Sequence, residues 1–456
     1  MLTEKVRKVV CLLGLLGCVL AFPVVGAPEV TITWAAPNWG SDILNFYNLR
    51  SMFEKETGIK VNMVLLGELE LYQKQLLDLS TGAGSYDVIS NNHTEIYKFA
   101  KAGWIEPLNK YISDPKLGAD IHFEDFIGAY MGALTYSGKV YALPFVAGTP
   151  MLIFRKDLFD KYSLKVPDTI PEFYEVGKKI MELEPGIYGA VLRSKRSFAL
   201  NTYIWSQFLK AYGGEFFDKA WNPIFNGDEG VKSLEIYTKI NKELGPEGAA
   251  TNYAWDDIEH MIQQGKLAMT IETDHMSYRV EDPKLSTVVG KLGFAPIPGM
   301  PGPKGPLGQA GGRWPFPSVW AHFVNAGSKH KEAAFQFVKW LTSPEIQRIA
   351  NKPSATRYSL YSDEFFKNRV NEWGGDLFMK AQQENLKYAM EILKLPKEYN
   401  RDTNFYFPWM AEAVECGDRI GIAMEEYASD TKTAKQALDD AATDVREILK
   451  KAGYYK

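Results

Sequence analysis

The sequence predicts an α/β protein with parallel sheets and crossover helices, and three observations predict it. Glu29 to Ala36 and Lys60 to Leu66 are short apolar, β-branched runs that read as strands. Between them, residues 43–57 place Ile43, Phe46, Leu49, Met52 and Phe53 at helical spacing. The alternation then continues with a helix over 70–80, a break at Gly82 and Gly84, and a strand at Asp87-Val88-Ile89. Strand–helix–strand order favours parallel pairing, since parallel neighbours need a crossover of about a dozen residues or more.

Each element has a local cause. Gly58 follows the first helix as a C-cap. Thr169-Ile170-Pro171-Glu172 is a capping box with proline in the first turn, opening a helix to about Glu182. Ala268 to Ile271 is a strand, and Ser343-Pro344-Glu345 opens a helix near 344–351. Between Pro296 and Gly312, 5 prolines and 6 glycines exclude helix and central strand and leave a long ordered loop. Helices dominate after about 378 and end in an amphipathic segment from Thr433 to Ala452.

Length and composition bound the function. The 456 residues suffice for two or three compact units. With 52 Lys+Arg against 56 Asp+Glu, a nucleic-acid footprint is not expected. Lys5, Arg7 and Lys8 precede an apolar stretch from Val9 to Val25 that ends in small residues, the layout of a secretory signal over 1–26 cut after Gly26. A retained anchor and a lipoprotein site at Leu15-Leu16-Gly17-Cys18 are the alternatives. The stretch is short for a span, and bulky Leu16 departs from the lipoprotein pattern. An exported chain, periplasmic or extracellular, soluble or membrane-anchored, is the expectation. Cleavage removes Cys11 and Cys18 and leaves Cys416, with no basic neighbour to activate it, as a structural thiol.

Catalytic motifs are missing. There is no Gly-x-Ser-x-Gly elbow, phosphate loop or His-Glu-x-x-His pair, and the 6 histidines lack ligand spacing, so neither metal nor cofactor is expected. Two acid sets remain as candidates for glycoside chemistry: Asp256, Asp257 and Glu259, explained by helix capping, and Glu272 with Asp274 at the end of a strand. Aromatic residues are plentiful, 11 Trp, 24 Tyr and 25 Phe. Trp39 beside Asn38, Trp255 beside Asp256, and Trp314 after Gly312 and Arg313 lie in polar stretches. An aromatic face covers the C–H side of a sugar or polyol while neighbouring polar groups bind its hydroxyls.

Several blocks, in order, carry a resemblance: Ser137 to Pro144, Met151 to Phe159, Pro167 to Phe173, Trp221 to Asn226, Gln264 to Met269, Gly293 to Pro298, and Glu332 to Ser343. Together the sequence resembles the extracellular solute-binding proteins of bacterial ABC importers, the sugar-binding family that includes maltose-binding protein. The resemblance implies a two-lobed periplasmic-binding-protein fold, each lobe a largely parallel sheet flanked by helices, with the ligand in the cleft between lobes. One lobe would hold 27–145 plus 322–355 and the other 146–321 plus 356–456. It implies closure of the lobes on a sugar, oligosaccharide or polyol, recognition of the closed form by a membrane permease, and a monomer without enzymatic activity.

By the same resemblance, candidate ligand contacts are Asn38 and Trp39 after the first strand, and Asn91, Asn92 and His93 in the loop after the third. Glu272, Asp274 and His275 align with another contact loop. Trp255, Gly312, Arg313 and Trp314 are candidates for stacking and hydrogen bonding, and Arg357 lies near the third crossover. Asn38 as a helix cap, Trp255 as core packing and Arg357 as a structural ion pair are the competing readings. Two other functions compete with a sugar or polyol receptor: a binding protein for a non-sugar solute, and a secreted glycoside hydrolase or lyase.

Overall fold

A computed structural model describes residues 29–38, 40–196, 200–301, 312–350, 355–371, 375–393 and 410–455. The expected signal segment and Trp39 lie outside them, as does the middle of the Pro296–Gly312 loop.

Eleven strands are described: β1 (Thr31–Pro37), β2 (Lys60–Leu66), β3 (Val88–Asn92), β4 (Thr135–Tyr136), β5 (Lys139–Val140), β6 (Ala142–Gly148), β7 (Pro150–Arg155), β8 (Tyr188–Ala190), β9 (Leu267–Thr273), β10 (Leu292–Ala295) and β11 (Ser318–Val324). They form a five-stranded sheet of order β2-β1-β3-β11-β6 and a four-stranded sheet of order β10-β7-β9-β8, while β4 and β5 make a hairpin. The expectation of largely parallel sheets needs correction, because both are mixed. β1 pairs in parallel with β2 and β3, as the opening alternation predicts, but β11 runs antiparallel to both β3 and β6. In the second sheet only β8–β9 is parallel. The reversed strands lie where the chain passes from one sheet to the other rather than in strand–helix–strand units.

The helix after β1 spans Gly40–Thr57, closed by Gly58 at φ +74°. The capping box forms as predicted: Thr169 Oγ1 accepts from Glu172 N, Glu172 Oε2 accepts from Thr169 N, and the helix runs Ile170–Leu183. The C-terminal helix, Ala434–Lys451, has a second such box at Thr433 and Gln436.

Two apolar clusters form the core, and the first extends from the five-stranded sheet onto Met151, Ile153, Leu292 and Phe294 of the second. In the first, buried Trp34 meets Phe337 edge-on at 5.5 Å and donates its indole N–H to Ser90 Oγ. Ser90 bonds His322 Nδ1 at 2.7 Å, and burial pushes that imidazole down to about 3, so it stays neutral. The second cluster contains Trp205, Phe208, Phe216 and Tyr237. Cys416 is fully buried in it, and burial raises its thiol far above the ordinary range, as expected of a structural cysteine.

One feature positions the site. β6 ends at Gly148 in the first sheet and β7 begins at Pro150 in the second, leaving Thr149 alone between them. Register places Gly148 opposite Ser318 and Pro150 opposite Thr273, so the ends of β6, β7, β9 and β11 converge on this crossover. The helix Gly375–Leu393 packs on β10, on β7 and on the short helix Gly128–Ala133, and so touches both layers.

Candidate functional site

At the crossover, Asp274 follows β9 directly and is fully buried. Its Oδ2 accepts from Gln382 Nε2 at 2.7 Å and from Thr149 N at 3.2 Å, while its own N–H donates to Thr149 O. Tyr361 donates to Gln382 Oε1 at 2.7 Å, and Asn385, one helical turn beyond Gln382, donates to Pro150 O at 2.9 Å. Burial pushes the Asp274 carboxyl up to about 7, partly offset by the hydrogen bonds from Gln382 and Thr149. Four buried polar atoms here have no hydrogen-bond partner: Asp274 Oδ1, Thr149 Oγ1, Asn385 Oδ1 and the Tyr130 hydroxyl. Buried polar atoms are rarely left unsatisfied in a folded protein, so such a cluster marks a place that a ligand or water completes.

The second sheet adds a neutralised ion pair. Arg193 grips Glu272 with Nε at 2.5 Å and Nη2 at 2.7 Å, both residues buried. Burial works against the Arg193 charge, but the adjacent carboxylate more than compensates. Tyr203 lies under the guanidinium at 5.3 Å, and Tyr237 donates to Arg193 O. Trp255 and His275 stack at 5.9 Å and 25°, with the Arg279 guanidinium 5.6 Å from the indole and bonded to Glu259. His275 Nε2 lies 3.2 Å from Thr273 Oγ1. Trp255 Nε1 and His275 Nδ1 are buried without partners. Burial, then Arg193 and Arg279, press the His275 imidazole down to about 3.

On the first sheet, Asn91 and Asn92 complete β3 rather than starting the loop, a correction to the predicted strand end. The Asn91 amide bonds Gln75 Oε1 and accepts from Asn92 N, and Asn92 caps the following turn through Thr94 N. His93 Nδ1 accepts from Val319 N. Asn38 is exposed, its backbone N–H bonded to Leu66 O. A cavity of about 580 Å³ opens just beyond, between Tyr72, Glu95 and Lys98 on one side and Glu412, Glu415 and Asp418 on the other. Burial raises Glu95 to about 7, with Lys98 opposing the rise.

Three predicted contacts are engaged in scaffold. Arg313 donates to Ile297 O and Asp168 O and pairs with the Asp168 carboxylate. Trp314 is buried in the second core beneath Lys210. Arg357 is fully buried, donating to the carbonyls of Thr342, Ile121 and His122, with its guanidinium 3.7 Å from the centre of the Phe126 ring. Gly312, at φ +57°, serves the same loop, where a β-carbon would lie 3.2 Å from Ala211 O. Trp255 opens the helix Trp255–Gln263 instead of lying in a loop, and Asp257 caps that helix through Ala254 N, as expected for the first acid set. Sequence reasoning missed Tyr130, Thr149, Arg193, Tyr203, Tyr361, Gln382 and Asn385. Gln382 and Asn385 carry a signal, two amides inside the apolar stripe Phe378, Ala381, Leu386, Ala389.

Residues 38–348 match the family of bacterial extracellular solute-binding proteins. The chain belongs to that family. This solute-binding protein is 27% identical over 454 residues to the mannitol-binding protein of Pseudomonas aeruginosa, covering 96% of this chain and 97% of the relative. It is 28% identical over 417 residues to a probable amino-acid ABC transporter periplasmic-binding protein of Sinorhizobium fredii, covering 89% and 86%. Among solved structures, the ABC transporter solute-binding protein of Agrobacterium vitis with bound D-mannitol is 31% identical, with a TM-score of 0.79 over 93% of this chain and all of that one. Among the described residues, no helix is long and apolar enough to cross a membrane, and no group of three His, Cys, Asp or Glu could hold a metal.

Proposed function

We propose that this solute-binding protein is an exported receptor for a polyol or small sugar, which it delivers unchanged to the permease of an ABC importer. The two lobes, expected as 27–145 plus 322–355 and 146–321 plus 356–456, would meet where β6 and β11 leave the five-stranded sheet and close on the ligand about the Thr149 crossover. Ligand contacts made from both lobes shift the equilibrium to the closed form, because only that form offers them together.

The observation that supports this reading is the cluster of buried, unpartnered polar atoms around Asp274. An α-amino acid needs a cation for its carboxylate and an anion for its ammonium. Here Arg193 and Glu272 satisfy each other, so the site offers no free cation for a ligand carboxylate. Hydroxyls, which both donate and accept, suit the mixture of carboxylate oxygen, amide oxygen, Thr149 hydroxyl and phenol. The Trp255–His275 stack and the Tyr203 ring bring aromatic groups, the apolar partners of polyol C–H groups, beside these polar atoms. Both mannitol relatives point to the same ligand class. Glu272, clamped by Arg193, is poorly placed to act as a hydrolytic acid. The Sinorhizobium relative keeps a non-sugar solute as the second reading.

The test is thermal unfolding of the mature chain against D-mannitol, ribitol, hexoses, maltooligosaccharides and amino acids, with product analysis of each sample. A ligand at 100 times its Kd adds about 2.7 kcal/mol of stability. A rise with a polyol recovered intact supports the proposal. A rise confined to amino acids, or turnover of the sugar, overturns it.

A further inference from the structure

The ligand reading leaves open how Asp274 is held. Its two oxygens differ: Oδ2 receives both Gln382 Nε2 and Thr149 N, whereas Oδ1 lies against Gly148 with no hydrogen bond, His275 Nδ1 standing 3.9 Å away. Gln382 can present either end of its amide. The carboxylate takes Nε2, and Tyr361 supports that orientation by donating its O–H to Oε1. Tyr361 belongs to the turn Tyr358–Ser362, Gln382 to the helix Gly375–Leu393, Asp274 to the end of β9, and Thr149 to the crossover. Hydrogen bonds from Tyr361, Gln382 and Thr149 therefore join four separate segments at Asp274 Oδ2 and leave Oδ1 of the same carboxylate open.

We propose that Tyr361 and Gln382 are positioning residues that keep Asp274 in its accepting form, with Oδ1 offered to a ligand hydroxyl, and thereby set the affinity for polyols. The inference rests on the polyol reading above. A donor fixed on Oδ2 stabilises the charged carboxylate against the desolvation that opposes it, and a charged acceptor makes the stronger bond to a hydroxyl. The neighbouring groups do not compete for the proton. Tyr130, Tyr203 and Tyr361 are all raised well above their ordinary range by burial, and Arg193 is paired with Glu272. His275 Nδ1 lies 3.9 Å from Oδ1, and burial keeps that imidazole neutral. Among the groups facing it, Asp274 is thus the one that changes charge near neutrality.

The experiment is calorimetric titration of the mature chain with D-mannitol from about pH 5.5 to 8.5, for the wild type, Gln382→Leu and Tyr361→Phe. In the wild type, affinity falls as pH drops through the Asp274 midpoint. Gln382→Leu moves that midpoint upward, and a midpoint higher by one pH unit lowers neutral-pH affinity roughly fivefold, because it cuts the charged fraction of Asp274 from about a half to about a tenth. Tyr361→Phe, which keeps the ring and frees the amide, moves it the same way by less and decides the matter if Gln382→Leu does not fold. An equal loss at every pH, with the midpoint unmoved, would show a purely structural role and overturn the proposal. Should the wild type bind no polyol, the ligand reading fails by itself. The positioning claim is then read from the Asp274 carboxyl carbon by NMR: a higher midpoint in either variant supports it, and an unchanged one overturns it.

Discussion

The Asp274 carboxylate rests directly on Gly148: a β-carbon at 148 would overlap Oδ1. Backbone and carboxylate are locked together at the one point where the chain passes from β6 to β7, so a methyl group there must displace the side chain or the crossover. Gly148→Ala is expected to destabilise the protein by about 1–3 kcal/mol, the usual range for overpacking. It should also abolish the ligand-induced rise in melting temperature. Comparing melting curves with and without D-mannitol separates the two effects.

Arg193 and Glu272 form a buried pair whose members do not survive separately. Arg193→Met leaves an unpaired buried carboxylate, expected to cost about 3–5 kcal/mol. Adding Glu272→Met should recover most of that loss. Urea midpoints of the two single variants and the double variant check the cycle, and additive losses would contradict the pairing.

The pH dependence of stability has a definite sign. The Asp274 pKa is raised on folding, to about 7 from an ordinary value of 3.8, so its stabilising contribution is complete below about pH 4. That contribution disappears as pH rises towards 7. The wild type should therefore lose more stability across this window than Asp274→Asn, by about 1.4 kcal/mol for each pH unit crossed. Chemical unfolding of both proteins at matched pH values measures the difference.

Arg357 and Trp255 should behave oppositely. Arg357→Met strips three carbonyls of their donor and is expected to lower stability by about 3 kcal/mol or more, with affinity for the sugar or polyol ligand retained well below the melting temperature. Trp255→Ala removes one face of the His275 stack and should weaken binding about tenfold with a smaller effect on stability. Isothermal titration and melting curves on the same preparations test the contrast.

The opening strands and helices were legible because their signals are local. The 43–57 periodicity, the Gly58 cap and the Thr169–Glu172 box each depend on a few adjacent residues. Strand direction in the mixed sheets was not legible, since β11 finds β6 only after the chain has run from Gly148 to Ser318 through the whole second sheet. Asp274 and His275 drew attention as polar residues ending an apolar run. Arg313 did so as the polar neighbour of Trp314 and Arg357 as a charged residue near an expected crossover, yet both bind backbone carbonyls, a role that sequence cannot separate from ligand binding. Tyr130 and Tyr361 matter only through partners distant in the chain, so no short motif reveals them.

The position of β11 has a consequence for synthesis. Residues 318–324 fill the gap between β3 and β6, yet the ribosome makes them after the strands of the second sheet. A nascent chain that ends just after β10 holds the second sheet but leaves β3 and β6 with unpaired edges and the first apolar cluster incomplete. Such edges invite pairing with other chains. The order of the strands thus delays the first unit until most of the polypeptide exists.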